Sequence, residues 1–408
     1  MRSGDLDEWI RSLVVPFLAQ VDEESLRHWR AHLEVERAWS VLDEGRSVGT
    51  CCVLTRDVSL PGLADEPCPT SAMAAISAVG VHATHRRQGL LRRMMGAMLA
   101  DAMDRGEPIA GLFASEASIY GRFGFGWATS SVRLTLPRRT TRITNRAADL
   151  DLKLCDPEEA GQHLPKLFAR LRLGRPGQVD RNEPYWSDMF VPRTHPSRGS
   201  QRFFAACDEG YVSYRSLPGS LSEPTVLRVD DLFGATPEIE AGLWQFVLGV
   251  DLVDSIVANR PVDEPFRWRL EDPRSLAVTA LNDSLWIRIL DVPAALTSRR
   301  YRSEGSLVFE VEPAPTWVNA DGEPEPDPAA GRWVLEAGRT GSSCRRALAS
   351  EQSELRLGVA DLGSALLGGQ DLISRSAAGR VQQLVPGSLL RADTLFETRP
   401  LPFSSTGF

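Results

Sequence analysis

A basic, glycine-containing turn is the part of the chain whose residue types most clearly suggest chemistry. Arg86, Arg87 and Arg92 surround Gly89, and an amphipathic helical pattern begins directly after the glycine. The first amides of a helix lack partners within it, and the helix dipole adds partial positive charge, so a pyrophosphate fits there. Glycine permits close backbone approach, and arginines add charge-assisted hydrogen bonds. Residues 87–92 are therefore a candidate pyrophosphate site, although an ordinary basic surface turn would use the same residue types.

The elements on either side of this turn would hold it in place. Residues 73–82 are predicted to form a buried strand before it, and residues 109–115 a second apolar strand after the helix. Residues 132–136 alternate apolar and polar side chains, which predicts a strand that closes the same domain. Upstream, residues 10–32 read as largely helical and residues 38–58 as a hairpin. The helix itself shows one apolar stripe: Leu91, Met94, Met95, Met98, Leu99 and Ala102.

A second region repeats this order of elements. Residues 225–231 are predicted to be a strand, residues 237–251 a helix and residues 252–258 another strand. The strand–helix junction carries Asp230 and Asp231, whose charges would repel pyrophosphate, so we predict no second cofactor site there. A third region begins near residue 286. Its predicted strands lie around residues 285–289, 307–311 and 333–337, and its predicted helices at 359–367 and 371–377.

Composition excludes several classes of protein. The chain has 408 residues, a length that suits two or three domains. Its net charge of −8 disfavours a nucleic-acid partner, because phosphate binding needs a basic surface. An acidic protein is compatible with a cationic substrate. The six cysteines form no CxxC pair or other metal-ligand spacing, so no metal site is expected. The sequence shows neither a signal-peptide pattern nor a run of apolar residues long enough to span a membrane, and a cytoplasmic location is expected.

Two segments resemble one known family. Residues 84–92 read THRRQGLLR, and residues 114–126 read ASEASIYGRFGFG. Both resemble the Eis-type (enhanced intracellular survival) branch of the GNAT superfamily of N-acetyltransferases. Leu91 departs from the general GNAT pattern, which has Gly or Ala there, but matches this branch. The resemblance implies an α/β (α+β) chain with two GNAT-like domains in tandem, at 1–148 and 149–285, then a sterol-carrier-protein-like domain at 286–408. It also implies assembly as a homohexamer.

The resemblance also assigns roles. It implies that acetyl-CoA is the co-substrate and that Ser115 and Glu116 flank its thioester. It implies that Tyr120 protonates the departing thiolate as general acid, and that the α-carboxylate of Phe408 accepts a proton from the amine as general base. Trp29 lies where the family builds its acceptor pocket. Backbone groups of Val79, Gly80 and Val81 would bind the pantetheine arm, and the pyrophosphate would be held by Arg87, Gln88, Gly89, Leu90, Leu91 and Arg92.

The chemistry so implied is attack of a neutral amine on a thioester, which needs acid–base catalysis but no metal. Taken alone, Tyr120 could equally be a packing aromatic, Trp29 a core residue and Phe408 a frayed terminus. The leading functional hypothesis is acetylation of primary amines on cationic small molecules such as aminoglycosides. The alternatives are a protein lysine N-acetyltransferase and a non-catalytic acyl-CoA or lipid-binding protein.

Overall fold

A computed structural model describes residues 3–64, 66–144, 147, 150–191, 201–217 and 225–408. Within these residues, helices and strands are interspersed along the chain. The α-helices are α1 (Ser3–Val14), α2 (Glu23–His32), α3 (Leu90–Asp104), α4 (Ala117–Tyr120), α5 (Pro157–Leu171), α6 (Glu183–Phe190), α7 (Pro237–Gly249), α8 (Val292–Ser298), α9 (Val359–Ala365), α10 (Leu372–Ala377) and α11 (Ser388–Phe396).

The strands run through all three predicted regions. They are β1 (Ala38–Asp43), β2 (Arg46–Ser59), β3 (Thr70–Val81), β4 (Ile109–Phe113), β5 (Gly126–Trp127), β6 (Ser130–Pro137), β7 (Lys153–Cys155), β8 (Phe203–Cys207), β9 (Gly210–Leu217), β10 (Val226–Gly234), β11 (Ser255–Arg260), β12 (Ala277–Asp283), β13 (Leu285–Ile289), β14 (Gly305–Glu312), β15 (Gly331–Gly338), β16 (Gly341–Arg346), β17 (Leu355–Gly358) and β18 (Val381–Gln383).

The chain divides into two compact units. The first contains residues 1–129, 283–402 and 407–408, and the second contains residues 130–282 and 403–406. The first unit holds a six-stranded sheet in the order β1-β2-β3-β4-β13-β5 and a five-stranded sheet in the order β16-β15-β14-β17-β18. The second holds a seven-stranded sheet in the order β12-β6-β11-β10-β9-β8-β7. The predicted domain boundary between residues 148 and 149 lies outside the described residues.

The six-stranded sheet is built mainly from the elements predicted around the basic turn. β1 and β2 form the predicted hairpin, and its turn at Glu44 and Gly45 has positive φ angles at both residues, as a two-residue hairpin turn requires. β3 runs antiparallel to β2 and parallel to β4, with α3 as the crossover. The Met-rich stripe of α3 is buried against Val53, Ile76 and Leu112. This packing fixes where the first turn of α3 lies relative to the ends of β3 and β4.

Two strands belong to different sheets from the ones predicted. β6 was expected to close the first sheet, but it pairs antiparallel with β11 in the seven-stranded sheet. β13, expected in the third region, pairs instead with β4 and β5 and completes the first sheet. The sequence predicted that both segments form strands but did not identify their partners. Tertiary packing decides which sheet a strand joins.

The helical prediction for residues 10–32 is confirmed at its two ends and wrong in its middle. α1 and α2 are separated by a short 3-10 turn at Val15–Phe17 and by Leu18, which has a positive φ of 54°. Asp22 then accepts a hydrogen bond from the amide of Ser25 and caps α2. Proline at residue 16 and this capping aspartate explain why one apolar periodicity is divided into two helices.

The five-stranded sheet packs within the same unit as the first sheet. α9 is buried along its whole length and contacts β5 and β13. A buried arginine, Arg299, donates to the carbonyls of Leu366 and Phe396 and so satisfies groups at the C-terminal ends of α9 and α11. Among the described residues, no helix has both the length and the apolar character needed to cross a membrane.

Candidate active site

An irregularity in β3 opens the first sheet beside β4. β3 and β4 pair from Met73 and Ile109 only as far as Ala75 and Gly111, although β3 continues to Val81. Within β3, Ala78 has a positive φ of 56° and lies in a β-bulge. The bulge turns the last part of β3 away from β4, as bulges next to functional sites commonly do. The backbone of Val79–Val81 therefore lies where the two parallel strands have parted.

The hydroxyl of Thr50 supports this bulge from the neighbouring strand. Its Oγ1 donates a hydrogen bond of 3.1 Å to the carbonyl oxygen of Ala78, and Thr50 is buried. Non-glycine residues at positive φ are strained, so such a conformation persists only where surrounding contacts enforce it. Thr50 supplies one of those contacts.

The first turn of α3 leaves its backbone amides free for a ligand. The N-cap residue is Gly89, which has no side chain to cap the helix, and the first turn contains no acidic residue. The first amide bonded within the helix is that of Arg93, which donates to the carbonyl of Gly89 at 3.2 Å. The amides of Leu90, Leu91 and Arg92 precede it, and amides in this position, together with the helix dipole, are a candidate site for an anion.

The conformation of this turn explains its glycine. Gly89 has a φ of 77°, and no heavy atom lies within 4 Å of where a Cβ would be. The glycine is therefore required by the left-handed backbone, and the space beside it is open. Arg86, Arg87 and Arg92 are exposed and form no ion pair with a carboxylate in the part of the chain that the structure describes. Their charges are thus available to an anionic ligand at this turn.

Tyr120 lies in α4, shortly after the end of β4. It is 6% exposed. Burial raises the pKa of the Tyr120 phenol above its usual value, the nearby side chain of Ser115 opposes this rise, and the charge of Glu116 adds to it. The phenol therefore remains protonated at neutral pH and is able to donate a proton. The structure thus brings three of the predicted site residues together.

The C-terminal residue lies at the open end of the first sheet. The ring of Phe408 packs edge-on against Phe113, with ring centroids 4.9 Å apart. Phe113 is the last residue of β4, two positions before Ser115, so the chain terminus lies next to the place where β3 and β4 have parted. Phe113 was not singled out in the sequence, although an aromatic residue at the end of the second predicted strand was a visible signal.

Residues near the N-terminus cover one side of β3. The Cβ that Gly80 lacks would come within 2.8 Å of Pro16 Cγ, so the turn at Val15–Phe17 packs directly on this glycine. Trp29 lies on α2 and packs edge-on against Trp9, with centroids 5.9 Å apart. It is partly exposed, and its role in substrate binding stays a prediction.

Both histidines beside the basic turn have structural partners. The Nε2 atom of His82 is 3.0 Å from Ser12 Oγ, and that of His85 is 3.0 Å from Asp43 Oδ2. These hydrogen bonds tie the loop to α1 and to the β1–β2 hairpin. A structural role explains both residues.

The matching segment of the second unit has a different helix start. Thr236 caps α7 by accepting a hydrogen bond from the amide of Ile239, and Glu238 and Glu240 lie in the first turn. The sequence-based reason for disfavouring pyrophosphate here was wrong in detail, because Asp230 and Asp231 lie within β10. Their charges are matched by arginines: Asp230 pairs with Arg202, Arg215 and Arg228, and Asp231 with Arg181.

Family models match most of the chain. Residues 1–128 match the acetyltransferase (GNAT) domain, residues 177–289 match a second acetyltransferase (GNAT) domain, and residues 292–405 match the sterol carrier protein domain. The predicted fold class, two GNAT domains followed by a sterol-carrier-like domain, is therefore confirmed.

Related proteins are similar in sequence to this chain along nearly its whole length. The chain is 35% identical to an uncharacterized N-acetyltransferase of Streptomyces avermitilis over 430 residues, which covers 100% of this chain and 98% of that protein. It is 30% identical to the N-acetyltransferase Eis of Mycobacterium tuberculosis over 389 residues, covering 92% and 90% of the two chains. The chain belongs to the Eis-type N-acetyltransferases of the GNAT superfamily.

A solved structure of an Eis protein supports this placement. The Eis-type fold described above superimposes on Eis1 of Mycobacterium abscessus with a TM-score of 0.86 at 28% identity, covering 100% of this chain and 98% of that one. A GCN5-related N-acetyltransferase of Anabaena variabilis shares the fold, with a TM-score of 0.84 at 19% identity. This Eis-type chain is accordingly an acetyltransferase, and GNAT acetyltransferases use acetyl-CoA as co-substrate.

Proposed function

We propose that this Eis-type acetyltransferase moves the acetyl group of acetyl-CoA to a primary amine of a cationic small molecule such as an aminoglycoside. The diphosphate of the cofactor binds the free amides of Leu90, Leu91 and Arg92 and the side chains of Arg87 and Arg92. Its pantetheine arm lies along the backbone of Val79–Val81, and its thioester lies beside Ser115 and Glu116. The remaining residues of the turn, Gln88 and Gly89, shape the loop.

Two protons must move in this reaction. The amine nitrogen forms a bond to the thioester carbonyl carbon, the bond from that carbon to sulfur breaks, and the nitrogen loses a proton. The α-carboxylate of Phe408 accepts the proton from the amine as general base. Tyr120 gives its phenolic proton to the departing thiolate as general acid. A buried phenol whose pKa is raised, so that it is protonated at neutral pH, supports this role.

One observation carries the proposal. β3 and β4 part beside an uncapped helix start, and the parted ends lie close in the chain to Tyr120 and in contact with Phe408. An extended cofactor arm can pair with the unpaired edge of β3 while its phosphates meet the amides of α3. The choice of a cationic acceptor rests on the family resemblance and on the net charge of −8.

The proposal is tested by measuring CoA release from acetyl-CoA with a panel of aminoglycosides, polyamines and lysine peptides. Turnover on aminoglycosides or polyamines is expected. Turnover on lysine peptides alone would favour protein acetylation instead, and binding of CoA with no turnover on any amine would favour the non-catalytic alternative. Light scattering tests the homohexamer that the resemblance implies.

Substitution of Tyr120 by Phe distinguishes a catalyst from a binder. We expect Tyr120→Phe to lower kcat by about 100-fold, because general acid catalysis commonly contributes that much, while calorimetry finds unchanged CoA affinity. Tyr214→Phe is the matched control: this tyrosine is also buried and its pKa is also raised by burial, but it lies in β9 of the other unit. Equal kcat values for the two variants would contradict the role of Tyr120.

A further inference from the structure

Tyr120 lies at the end of an element that is too short to be stable alone. α4 has four residues and continues directly into a 3-10 turn at Gly121–Phe123, and neither element has a side-chain hydrogen bond that caps its start. A single helical turn is unfavourable in isolation, because it fixes several dihedral angles for very few hydrogen bonds. Contacts from other parts of the protein must therefore determine where the phenol of Tyr120 points.

Two residues of the third region contact the end of this segment through its carbonyl groups. The Nη1 atom of Arg288, in β13, donates to the carbonyl oxygen of Phe123 at 2.7 Å. The amide of Thr316 donates to the carbonyl oxygen of Arg122 at 2.8 Å. All four residues belong to the same compact unit as Tyr120. The last carbonyls of a helical segment lack partners within it, and these contacts satisfy two of them.

The guanidinium of Arg288 is itself fixed by a buried network. Its Nη2 atom is 2.7 Å from Asp327 Oδ1, and both side chains are completely buried. The carboxylate of Asp327 also accepts from the amides of Ala314 at 2.9 Å and Ala329 at 3.1 Å. The ring centroid of Trp317 lies 4.4 Å from the central carbon of the guanidinium. A buried polar network with its groups so paired favours one arrangement of its members.

The glycines of the segment at residues 114–126 permit these contacts. A Cβ at Gly124, which has a φ of 84°, would come within 1.8 Å of Nη1 of Arg288. A Cβ at Gly126 would come within 1.7 Å of the carbonyl oxygen of Ala360 in α9. Side chains at these two positions would push the third region away from the backbone that follows Tyr120. The sequence of this segment therefore matches the place of the arginine.

We propose that Arg288 is a positioning residue: together with Asp327, it fixes the turn that aims the phenol of Tyr120. Arg288 acts through the backbone of Phe123 and not by contact with the reacting atoms. This inference rests on the proposed function, since it takes Tyr120 as the general acid. It also gives the sterol-carrier-like region, which contributes Asp327, a part in the reaction.

The test replaces the ion pair without leaving a charge unpaired. Arg288→Met/Asp327→Asn removes the donor to Phe123 and neutralises the carboxylate, because a buried charge that has lost its partner is strongly destabilising. Arg288→Lys is the second variant and serves if the first does not fold: it keeps a cation beside Asp327, but one ammonium replaces the forked guanidinium.

Arg299→Met is the matched control. Arg299 is also a completely buried arginine of the first unit, and it also donates to two backbone carbonyls, those of Leu366 and Phe396. The control therefore loses the same kind of group at the C-terminal ends of α9 and α11, and not at the turn after Tyr120. Its thermal stability should fall, as that of the test variant should, so that general loosening of the unit is present in both.

The first readout is a double-mutant cycle on kcat with acetyl-CoA and the best amine of the panel. We expect Arg288→Met/Asp327→Asn to lower kcat about 10-fold, because a misplaced acid transfers its proton less efficiently, with unchanged CoA affinity by calorimetry. In the Tyr120→Phe background the same change should have almost no effect on kcat, since there is no phenol left to aim. Arg299→Met should keep the kcat of the unaltered protein.

The second readout needs no turnover. The chain has five tyrosines, so ¹⁹F NMR of protein containing 3-fluorotyrosine should show five signals, and the signal lost in Tyr120→Phe identifies that residue. We expect this signal to shift or broaden in the Arg288 variants and to keep its position in Arg299→Met.

Three outcomes overturn the proposal: an unmoved Tyr120 signal, an unchanged kcat, or the same loss of kcat with and without the phenol. A loss of kcat in Arg299→Met equal to that in the test variant also overturns it. If the unaltered protein acetylates no amine, the proposed function fails, and the NMR signal alone decides whether Arg288 positions Tyr120.

Discussion

Two β–α–β segments of this chain share a topology and differ in what their helix starts can bind. In the first unit, β3 carries a bulge and parts from β4. In the second, β10 carries a bulge at Asp230, and its parallel pairing with β11 ends at Val229 and Ala258. The strands of both segments therefore open in the same manner, and the opening alone does not make a cofactor site.

The loops and the helix starts provide the difference. Residues 82–89 connect β3 to α3, whereas only residues 235 and 236 connect β10 to α7. The long loop supplies arginines and a left-handed glycine, and it leaves the first amides of α3 free. At the end of the short loop, the hydroxyl of Thr236 accepts a hydrogen bond from an amide of α7, and two glutamates lie in the first turn of that helix.

The second segment also fills its own opening. Arg260, at the end of β11, donates from Nη1 to the carbonyl of Leu232 in β10 at 2.6 Å, and it pairs with the buried Glu264 and the partly buried Glu240. A side chain of the protein thus satisfies backbone that an extended ligand would bind in the other segment. We infer that an anion site in this fold would depend as much on absent caps and acids as on the arginines present.

Replacing the arginine that fills the second opening should have the largest effect. We expect Arg260→Met to lower the free energy of unfolding by about 3–5 kcal/mol, because the buried Glu264 and the partly buried Glu240 lose their partner. Burial already raises the pKa of Glu240. Without Arg260 the folded protein keeps a proton on Glu240 that the unfolded chain releases. The loss of unfolding free energy should therefore grow as pH rises above about 5.

Urea denaturation at pH 5 and pH 8 measures this effect. Adding Glu264→Gln should recover part of the stability, because one buried charge is removed and the amide oxygen can still accept from Phe266. CoA affinity, measured by calorimetry, should be unchanged in the folded variant. A large loss of CoA affinity would mean that the two segments do not differ as described.

Reversing one charge at the start of α3 should have the next largest effect. Arg92→Glu places an acid in the first turn of α3, as α7 has, and we expect CoA affinity to fall about 100-fold. An acid near a helix N-terminus is itself favourable, so thermal stability should be unchanged or slightly higher. Arg93→Glu is the control, because this neighbour packs against Gly322. Equal losses from both variants would make the effect one of net charge.

Changing the backbone of the turn should have the smallest effect of the three. Gly89→Ala forces a side chain into a left-handed conformation, so the turn should relax, move its amides and weaken CoA binding about 10-fold. Gly106, at the other end of the same helix, has a similar φ of 72° and the same open surroundings. Gly106→Ala should therefore lose similar stability, about 1–2 kcal/mol, and bind CoA normally. Matching CoA affinities for the two variants would show that the turn tolerates the change.

The local parts of the first site were accessible from sequence. The apolar stripe of α3, the strands on either side of it and the motif at residues 84–92 are all signals within a short stretch of chain. The bulge at Ala78 gave no such signal, since alanine is not typical of positive φ. It depends on Thr50 in the adjacent strand, which a linear pattern does not connect with it.

The parts that sequence reasoning missed are long-range. Arg181 carries no motif. Its hydrogen bond to the hydroxyl of Thr406 joins residues more than two hundred positions apart, where side-chain types alone do not identify partners. The sheets that β6 and β13 join were predicted wrongly for the same reason. Each segment is recognisable as a strand on its own, but tertiary packing decides which strands it pairs with.

The position of β13 in the sequence, far after the other strands of its sheet, has a consequence for biosynthesis. Until Leu285–Ile289 have been made, one edge of β4 has exposed, unpaired backbone groups, and β5 has no neighbour on which to form. The six-stranded sheet beside the candidate active site therefore cannot be completed before residues 130–282 of the second unit have been synthesised. A fragment ending at residue 128, where the first family match ends, would keep the motif but should aggregate rather than bind nucleotide.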